Sequence, residues 1–280
     1  MGLSRRSFLA SAGAAMATAA SARRFDGLHI GVTDWNLQQT GKLEAVALAR
    51  SLGFDGVQIS LGRKPVDGKL PLDDAAVQER YLRQAKQEGI PLDGTCLDIL
   101  HVNYLKNDKL GQKWVADGIG ITRKLGARVM LLPFFGKGAL TTHAEMDYVG
   151  DALKELAPEA EKAQVILGLE DTISAEDNVR ILDRVKSKST LVYYDVGNST
   201  GAGFEVVKEI RWLGKARICQ IHLKDNPHYL GEGRIDFPAV MQAIADIGFQ
   251  GFANLETSSP SQSVEQDMRR NLQYIRGLMA

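Results

Sequence analysis

Residues 246–256 read DIGFQGFANLE, and this stretch shows the pattern that decides the fold. A helical segment ends at Gly248, and a short apolar strand then runs to the acid Glu256. Glycine just after a helix allows the left-handed turn that leads the chain into a strand. Related helix-glycine-strand phrases occur at SLGFDGVQIS (51–60), EGIPLDG (88–94) and KLGARVMLL (124–132). The repetition predicts strands that alternate with helices, as in a parallel sheet.

Eight apolar runs of this kind follow one another along the chain, with helical spacing of apolar residues between them. Eight strand-helix units in about 255 residues match a single-domain α/β protein, a (β/α)8 TIM barrel. A doubly wound open sheet would also alternate, but it usually has fewer units, and no glycine-rich dinucleotide fingerprint follows HIGVTDW (29–35). The predicted strands are 28–35, 56–60, 92–99, 128–134, 165–171, 191–196, 218–224 and 251–257.

The first 22 residues differ in composition from the rest of the chain. They contain Arg5 and Arg6 but no acid, and an alanine-rich run leads to a small-x-small site at 20–22. This order is typical of a signal peptide, and paired arginines before Phe-Leu are similar to the twin-arginine export signal. We therefore predict a cleavable signal at 1–22, a periplasmic or otherwise exported protein, and one barrel over 23–280. Since no later run reaches 18 apolar residues, no stable membrane insertion is expected.

Charge and cysteine content exclude several classes of protein. The whole chain is neutral, and without Arg5 and Arg6 it has 32 basic against 34 acidic side chains. Proteins that bind nucleic acid through phosphates usually carry a basic excess, so no nucleic-acid partner is expected. Two cysteines, Cys96 and Cys219, are too few for a disulfide framework or a thiolate metal cluster, and we predict two buried thiols.

The last four predicted strands each end in a side chain that can bind a metal: Glu170, Asp195, His222 and Glu256. In (β/α)8 barrels the carboxyl ends of the strands carry the chemistry, so these side chains should meet. Each could instead cap a helix or form only a hydrogen bond, but four in succession are hard to explain by chance. Three carboxylates and one imidazole favour Mn²⁺ or Mg²⁺, with Co²⁺ or Zn²⁺ as alternatives.

With these residues placed, the chain from about His29 onward resembles the xylose isomerase-like TIM barrel superfamily. Within it, the chain is most similar to the sugar phosphate isomerase/epimerase family. The most specific segments are Glu170, DVGN (195–198), HLKD (222–225), GEG (231–233) followed by IDF (235–237), and Glu256.

The resemblance implies that Glu170, Asp195, His222 and Glu256 hold one divalent metal ion, and that Glu170 and Glu256 are the catalytic acid/base pair. Removal of a proton beside a carbonyl needs a base and stabilisation of charge at oxygen, which a metal-stabilised enediolate provides. Two carboxylates on opposite faces allow removal from one side and return on the other. We therefore predict an exported isomerase or epimerase acting on a non-phosphorylated sugar or keto-sugar.

Further residues are predicted to bind the substrate. Glu176 matches a second sugar-contacting glutamate of the epimerases, although it could be an ordinary surface helix residue. His228 replaces an arginine found in the epimerases, Asn198 replaces a histidine found in many relatives, and Arg234 could supply the missing cation or pair with Asp236. The predicted substrate-binding residues are Trp35, His101, Glu176, Asn198, Asp225, His228 and Arg234.

Three other functions stay open at this point. A lyase or hydrolase acting on a keto-glycoside would use the same proton abstraction. A phosphodiesterase similar to the AP endonucleases would need several metals, and five histidines are few for such a cluster. A binding protein with a degenerate site is the third alternative. The expected partners are a small sugar and, through the signal, the export machinery; a homo-oligomer is compatible with the sequence.

Overall fold

Eight parallel strands close into one barrel in chain order, so that the first strand pairs with both the second and the eighth. This confirms the predicted (β/α)8 TIM barrel. The computed structural model describes residues 25–280, and the predicted signal at 1–22 lies outside the described residues. The strands are β1 (Leu28–Thr33), β2 (Gly56–Ser60), β3 (Leu92–Cys96), β4 (Val129–Pro133), β5 (Ile166–Glu170), β6 (Thr190–Asp195), β7 (Ile218–Leu223) and β8 (Gly251–Leu255).

Helices connect the strands and cover the outside of the barrel. Over residues 25–280, no helix is long and apolar enough to cross a membrane. Short 3₁₀ turns lie at Asp98–His101 and Gly136–Gly138. The α-helices are α1 (Glu44–Leu52), α2 (Ala75–Glu88), α3 (Lys109–Lys124), α4 (His143–Ala163), α5 (Ala175–Val185), α6 (Val196–Ala202), α7 (Val206–Leu213), α8 (Phe237–Asp246) and α9 (Val264–Met279).

Local sequence signals set the ends of these helices. Gly53 ends α1 with φ of 95°, and Gly89 ends α2 with φ of 65°, a conformation that a side chain would disfavour. Asp74 caps the start of α2, and Thr142 forms a capping box with Glu145 at the start of α4. Glycine therefore ends these helices in the left-handed conformation that the helix-glycine-strand pattern predicts.

The largest apolar cluster lies between the strands and the helices, and a smaller one around Tyr193 lies inside the barrel. The interior also contains a buried polar layer. Asp93 Oδ1 accepts hydrogen bonds from Asn254 Nδ2 (3.0 Å) and Gln220 Nε2 (3.1 Å), and Gln58 Oε1 accepts one from the Tyr193 hydroxyl (3.0 Å). Because buried polar groups are costly when unpaired, this layer holds the inner side chains in fixed orientations.

The third strand is shorter than predicted. It ends at Cys96, and the residues that follow turn into the 3₁₀ segment Asp98–His101. The reason is local: the Asp98 carboxylate accepts a hydrogen bond from the Ser60 hydroxyl at the end of β2. The turn moves Asp98 and His101 to the mouth of the barrel, where both line a cavity.

Candidate active site

The four predicted metal ligands meet at the carboxyl ends of β5 to β8. One ligand atom from each of Glu170, Asp195, His222 and Glu256 lies within 4.8 Å of the others. His222 Nδ1 is 3.0 Å from Glu170 Oε1, 3.6 Å from Asp195 Oδ2 and 3.6 Å from Glu256 Oε2. The barrel thus joins residues that are far apart in sequence around one imidazole nitrogen.

The two glutamates differ from the other two ligands in access. Glu170, Asp195 and His222 are all buried, but of the four ligands only Glu170 and Glu256 line a cavity of about 810 Å³ at the mouth of the barrel. Glu170 is 4% exposed, and the Glu256 side chain is 17% exposed. A molecule in the cavity would reach the two glutamates first, as an acid/base pair requires.

The interior polar layer fixes the orientation of His222. Its Nε2 lies 2.9 Å from Gln58 Oε1, which also accepts a hydrogen bond from Tyr193. An amide oxygen only accepts hydrogen bonds, so Nε2 carries the proton. Nδ1 faces the three carboxylates and is the nitrogen that would give up its proton to bind a metal ion. Such outer hydrogen bonds commonly set the tautomer of metal-binding histidines.

Crowding of buried carboxylates perturbs the titration of the cluster. Burial raises the pKa of Glu170 to about 8. Burial alone would lower the pKa of His222, but the charges of Glu256 and Glu170 outweigh it and raise that pKa to about 10. Burial would also raise the pKa of Asp195, but Lys224 and His222 hold it below its usual range. The carboxylates therefore favour a positive charge among them, on the imidazole or on a bound cation.

Lys224 is a member of this site that sequence reasoning missed. Its Nζ lies 2.8 Å from Asp195 Oδ2, contacts Glu256 Oε2 and lines the cavity. A signal was available, because side chains two residues apart on a strand point to the same side, and Lys224 is two residues after His222.

The donor set fits one divalent ion. Asp195 Oδ2 is buried without a well-directed hydrogen bond, its contact with Lys224 being an ion pair. Three carboxylates and one imidazole within 4.8 Å offer mainly hard donors, which Mn²⁺ and Mg²⁺ prefer and which Co²⁺ and Zn²⁺ accept. We find no second carboxylate-histidine cluster of this kind among residues 25–280.

Three predicted substrate residues lie on the cavity wall: Trp35, His101 and Asn198. Trp35 Nε1 donates a hydrogen bond to Glu256 Oε1 (2.9 Å), and Asn198 Nδ2 donates a longer one to Glu170 Oε1 (3.4 Å). Each catalytic candidate therefore has a neutral side chain directed at one of its oxygens.

Two predicted substrate residues after β7 lie outside the cavity lining. Asp225 is buried, and its Oδ2 accepts a hydrogen bond from the Gly233 N–H (3.0 Å). A Cβ at Gly233 would approach Asp225 Oδ1 to 2.3 Å, so this carboxylate is occupied in holding the GEG loop. His228 is exposed, further along the same loop.

The structure does not bring Arg234 or Glu176 to the cavity either. Arg234 is exposed, and its Nη2 donates to the carbonyl oxygen of Thr200 (3.3 Å), not to Asp236. Glu176 is exposed in the first turn of α5, beside a separate surface depression that Trp212 also lines. The resemblance to the epimerases predicted that both residues bind the substrate, but loop and helix geometry directs them away from the cavity.

Comparison with known proteins identifies the family. A family model described as "Xylose isomerase-like TIM barrel" matches residues 46–278. A curated relative from Actinoplanes sp., 2-epi-5-epi-valiolone 7-phosphate 2-epimerase, is 25% identical over 204 residues. That match covers 71% of this chain and 73% of the relative.

Solved structures of epimerases share the fold. L-ribulose 3-epimerase superposes with a TM-score of 0.73 and 18% identity, over 90% of this chain and 94% of that chain. The 3-keto-D-glucoside 4-epimerase from E. coli superposes with a TM-score of 0.70 and 18% identity, over 89% of this chain and 99% of that chain. At such identities the likeness concerns the architecture.

Proposed function

Because the chain belongs to the xylose isomerase-like TIM barrel family, we propose that it is a divalent-metal-dependent sugar isomerase or epimerase. One observation carries the proposal: Glu170, Asp195, His222 and Glu256 converge within 4.8 Å, and only the two glutamates of the four line the cavity. The curated relative is named as a 2-epimerase of 2-epi-5-epi-valiolone 7-phosphate, and the two solved structures are named as epimerases of L-ribulose and of a 3-keto-D-glucoside, which supports this choice.

The proposed metal ligands are Glu170, Asp195, His222 and Glu256. A divalent ion bound by them would act as a Lewis acid toward oxygen atoms of the substrate. His222 is prepared for this role because Gln58 keeps the proton on Nε2. Lys224 balances part of the negative charge of the carboxylates.

Glu170 and Glu256 are the proposed proton carriers. One carboxylate removes the proton from the carbon beside the substrate carbonyl, and the other returns a proton to the opposite face. Trp35 holds Glu256 through its Oε1 atom, and Asn198 lies against Glu170 Oε1. Burial raises the pKa of Glu170 to about 8 in the metal-free protein, and a bound cation would lower it.

The proposal includes export of the protein and a non-phosphorylated substrate. Arg5 and Arg6 ahead of an alanine-rich run support export, and export in turn favours a sugar without phosphate. Replacing both arginines by lysine should keep the protein inside the cell, as fractionation and immunoblotting would detect. Equal export of the lysine variant and the wild type would contradict this part of the proposal.

Exchange of substrate hydrogen with solvent tests the proposed chemistry. We would incubate the Mn²⁺-loaded protein in D₂O with D-fructose, D-psicose, D-tagatose and 3-keto-glucosides, and follow the products by NMR. We expect deuterium at the carbon beside the carbonyl together with an epimer or isomer. Glu256→Gln should abolish exchange, and the exposed Glu159→Gln should not. No deuterium in any sugar at full metal loading would overturn the proposal; an elimination product would favour the lyase alternative.

A further inference from the structure

We propose that the half of the cavity formed by β2, β3 and β4 is a subsite for a second ring. The substrate would then be a keto-sugar that carries another ring through a glycosidic bond, rather than a free monosaccharide. This inference rests on the proposed function, because it assigns the reacting sugar to the half that contains Glu170 and Glu256.

The topology divides the cavity into two walls. In a closed barrel of eight strands, β2 and β3 lie across the interior from β6 and β7. Ser60 is the last residue of β2, Asp98 and Phe135 follow β3 and β4, and all three line the cavity. Ser60 and Asp98 therefore stand opposite Asp195 and His222. Phe135 lies at the border of this wall with β5, since Pro133 pairs with Glu170. A ring held at the two glutamates would leave this wall free for other contacts.

The size of the cavity suits a ligand of more than one ring. Its volume is about 810 Å³, near the upper end of the roughly 300–1,000 Å³ typical of pockets for drug-sized ligands. A monosaccharide is smaller than such ligands, and it must lie near Glu170 and Glu256 to react. The remaining volume extends toward the β2–β4 wall.

This wall has an aromatic surface of its own. The rings of His101 and Phe135 are stacked, with centroids 6.2 Å apart and planes inclined by 24°. Both residues line the cavity, and both are half-buried. Flat aromatic surfaces pack well against the apolar faces of rings. Trp35 provides a separate aromatic surface beside Glu256, so each half of the cavity has one.

The polar groups of this wall suit hydroxyl groups. The Asp98 carboxylate is held by the Ser60 hydroxyl, and Arg63 Nη2 lies 3.7 Å from Asp98 Oδ1. A carboxylate offers acceptors and a guanidinium offers donors, which together match the mixed hydrogen bonding of a polyol. Asp98 balances the charge of Arg63, and Lys64, which also lines the cavity, adds a further group that donates hydrogen bonds to hydroxyl oxygens.

Binding of unreactive sugars tests the subsite without any chemistry. We would titrate the Mn²⁺-loaded protein by calorimetry with D-glucose, cellobiose and 4-nitrophenyl β-D-glucopyranoside, none of which carries a ketone. We expect at least one two-ring probe to bind about tenfold more tightly than D-glucose, as stacking and hydroxyl contacts on the second ring would produce. Tight cellobiose binding would indicate a second sugar, and tight binding of the nitrophenyl glucoside an aromatic aglycone.

Substitutions on the β2–β4 wall test whether this wall produces the gain in affinity for two-ring probes. Phe135→Ala should remove most of the gain for two-ring probes and weaken D-glucose binding by much less. Arg63→Ala provides a second test at a side chain that is 56% exposed and can be removed without loss of folding. The matched control is Val102→Ala, which is 52% exposed and lies next to His101 but does not line the cavity.

Two outcomes of the binding measurements would overturn the inference. One is equal affinity for one-ring and two-ring probes, including no measurable binding of either; the other is an equal loss for both in Phe135→Ala. Deuterium exchange distinguishes a failure of the proposed subsite from a failure of the proposed function. Exchange that is equally fast with free keto-sugars and keto-glycosides would leave the function standing and remove the subsite. No exchange with any sugar would remove the function, whatever the probes show.

Discussion

The ammonium group of Lys224 lies 2.8 Å from Asp195 Oδ2 and also contacts Glu256 Oε2, so a cation of the protein is held on two of the proposed metal ligands. The Lys224 side chain is 15% exposed and the Asp195 side chain 1% exposed, so water screens this pair poorly. A divalent ion would have to share these oxygens with Lys224 or displace it. Lys224 is therefore expected to weaken metal binding while it stabilises the metal-free protein.

Lys224→Met tests this competition. Loss of the positive charge should raise the affinity for Mn²⁺ by about tenfold or more, because the repulsion of two cations is removed. The metal-free variant should be less stable, since buried carboxylates lose their partner, and Mn²⁺ should raise its Tm by more than that of the wild type. Calorimetry and thermal unfolding measure both effects. Lys208→Met, at a side chain that is 82% exposed, is the control, and unchanged or weaker Mn²⁺ binding in Lys224→Met would contradict the expectation.

The sequence was sufficient to predict which side chains meet at the carboxyl ends of the last four strands, because a simple rule governs their position. Parallel strands bring their carboxyl ends to one face of the barrel, so Glu170, Asp195, His222 and Glu256 had to meet once the eight strands were recognised. Lys224 follows from the same rule, through the alternation of side chains after β7, and could have been predicted with them.

Loop residues could not be placed in the same way. The direction of a side chain in a loop depends on which backbone groups need partners, and sequence spacing does not reveal this. The Asp225 carboxylate accepts a hydrogen bond from the Gly233 N–H, and the Arg234 guanidinium donates one to the carbonyl oxygen of Thr200. For the same reason the β2–β4 wall, with Phe135, became visible only from the positions of the loops.

Gln58 is expected to control the metal affinity of His222 from inside the barrel. Gln58→Leu removes the acceptor for His222 Nε2, so the imidazole loses its fixed tautomer and orientation. Loss of such an outer partner typically costs about 10–100-fold in metal affinity. Tyr193→Phe removes the hydroxyl that donates to Gln58 Oε1 and accepts from Asn254 Nδ2, but it leaves Gln58 in contact with His222 and should have a smaller effect. Titration of both variants with Mn²⁺ would measure the two affinities. An equal loss of affinity in Gln58→Leu and Tyr193→Phe would argue against a specific role for Gln58.

Trp35 is expected to position Glu256 rather than to hold the metal. Trp35→Phe keeps an aromatic wall but removes the N–H that binds Glu256 Oε1 at 2.9 Å. A hydrogen bond to a charged group contributes about 1.5–3 kcal/mol, so kcat should fall by about tenfold or more. KM and metal content should stay near the wild-type values, whereas Trp35→Ala should also raise KM. A fall in metal content that accounts for the whole loss of activity in Trp35→Phe would show that the residue acts through the metal site.

Asp34 is expected to make the barrel less stable as the pH rises. It is fully buried, and its Oδ2 accepts hydrogen bonds from the N–H groups of Gly41 (2.8 Å) and Ser60 (3.0 Å). Oδ1 is buried without a hydrogen bond. Burial raises the pKa of Asp34 from 3.8 to about 7. Between these values the unfolded chain has lost the proton and the folded protein still holds it, so the free energy of unfolding falls with rising pH, by up to about 1.4 kcal/mol per pH unit.

Asp34→Asn should remove this part of the pH dependence, because an amide does not ionise and its carbonyl oxygen can accept the same two hydrogen bonds. Urea unfolding at pH 5, 6, 7 and 8, with a chelator present to exclude metal binding, would measure the free energy of unfolding. The difference between variant and wild type should shift in favour of the variant as the pH rises toward 7 and level off above it. Glu159→Gln, on the exposed face of α4, should run parallel to the wild type at every pH. Parallel curves for Asp34→Asn and the wild type would mean that Asp34 is already ionised in the folded protein at pH 5.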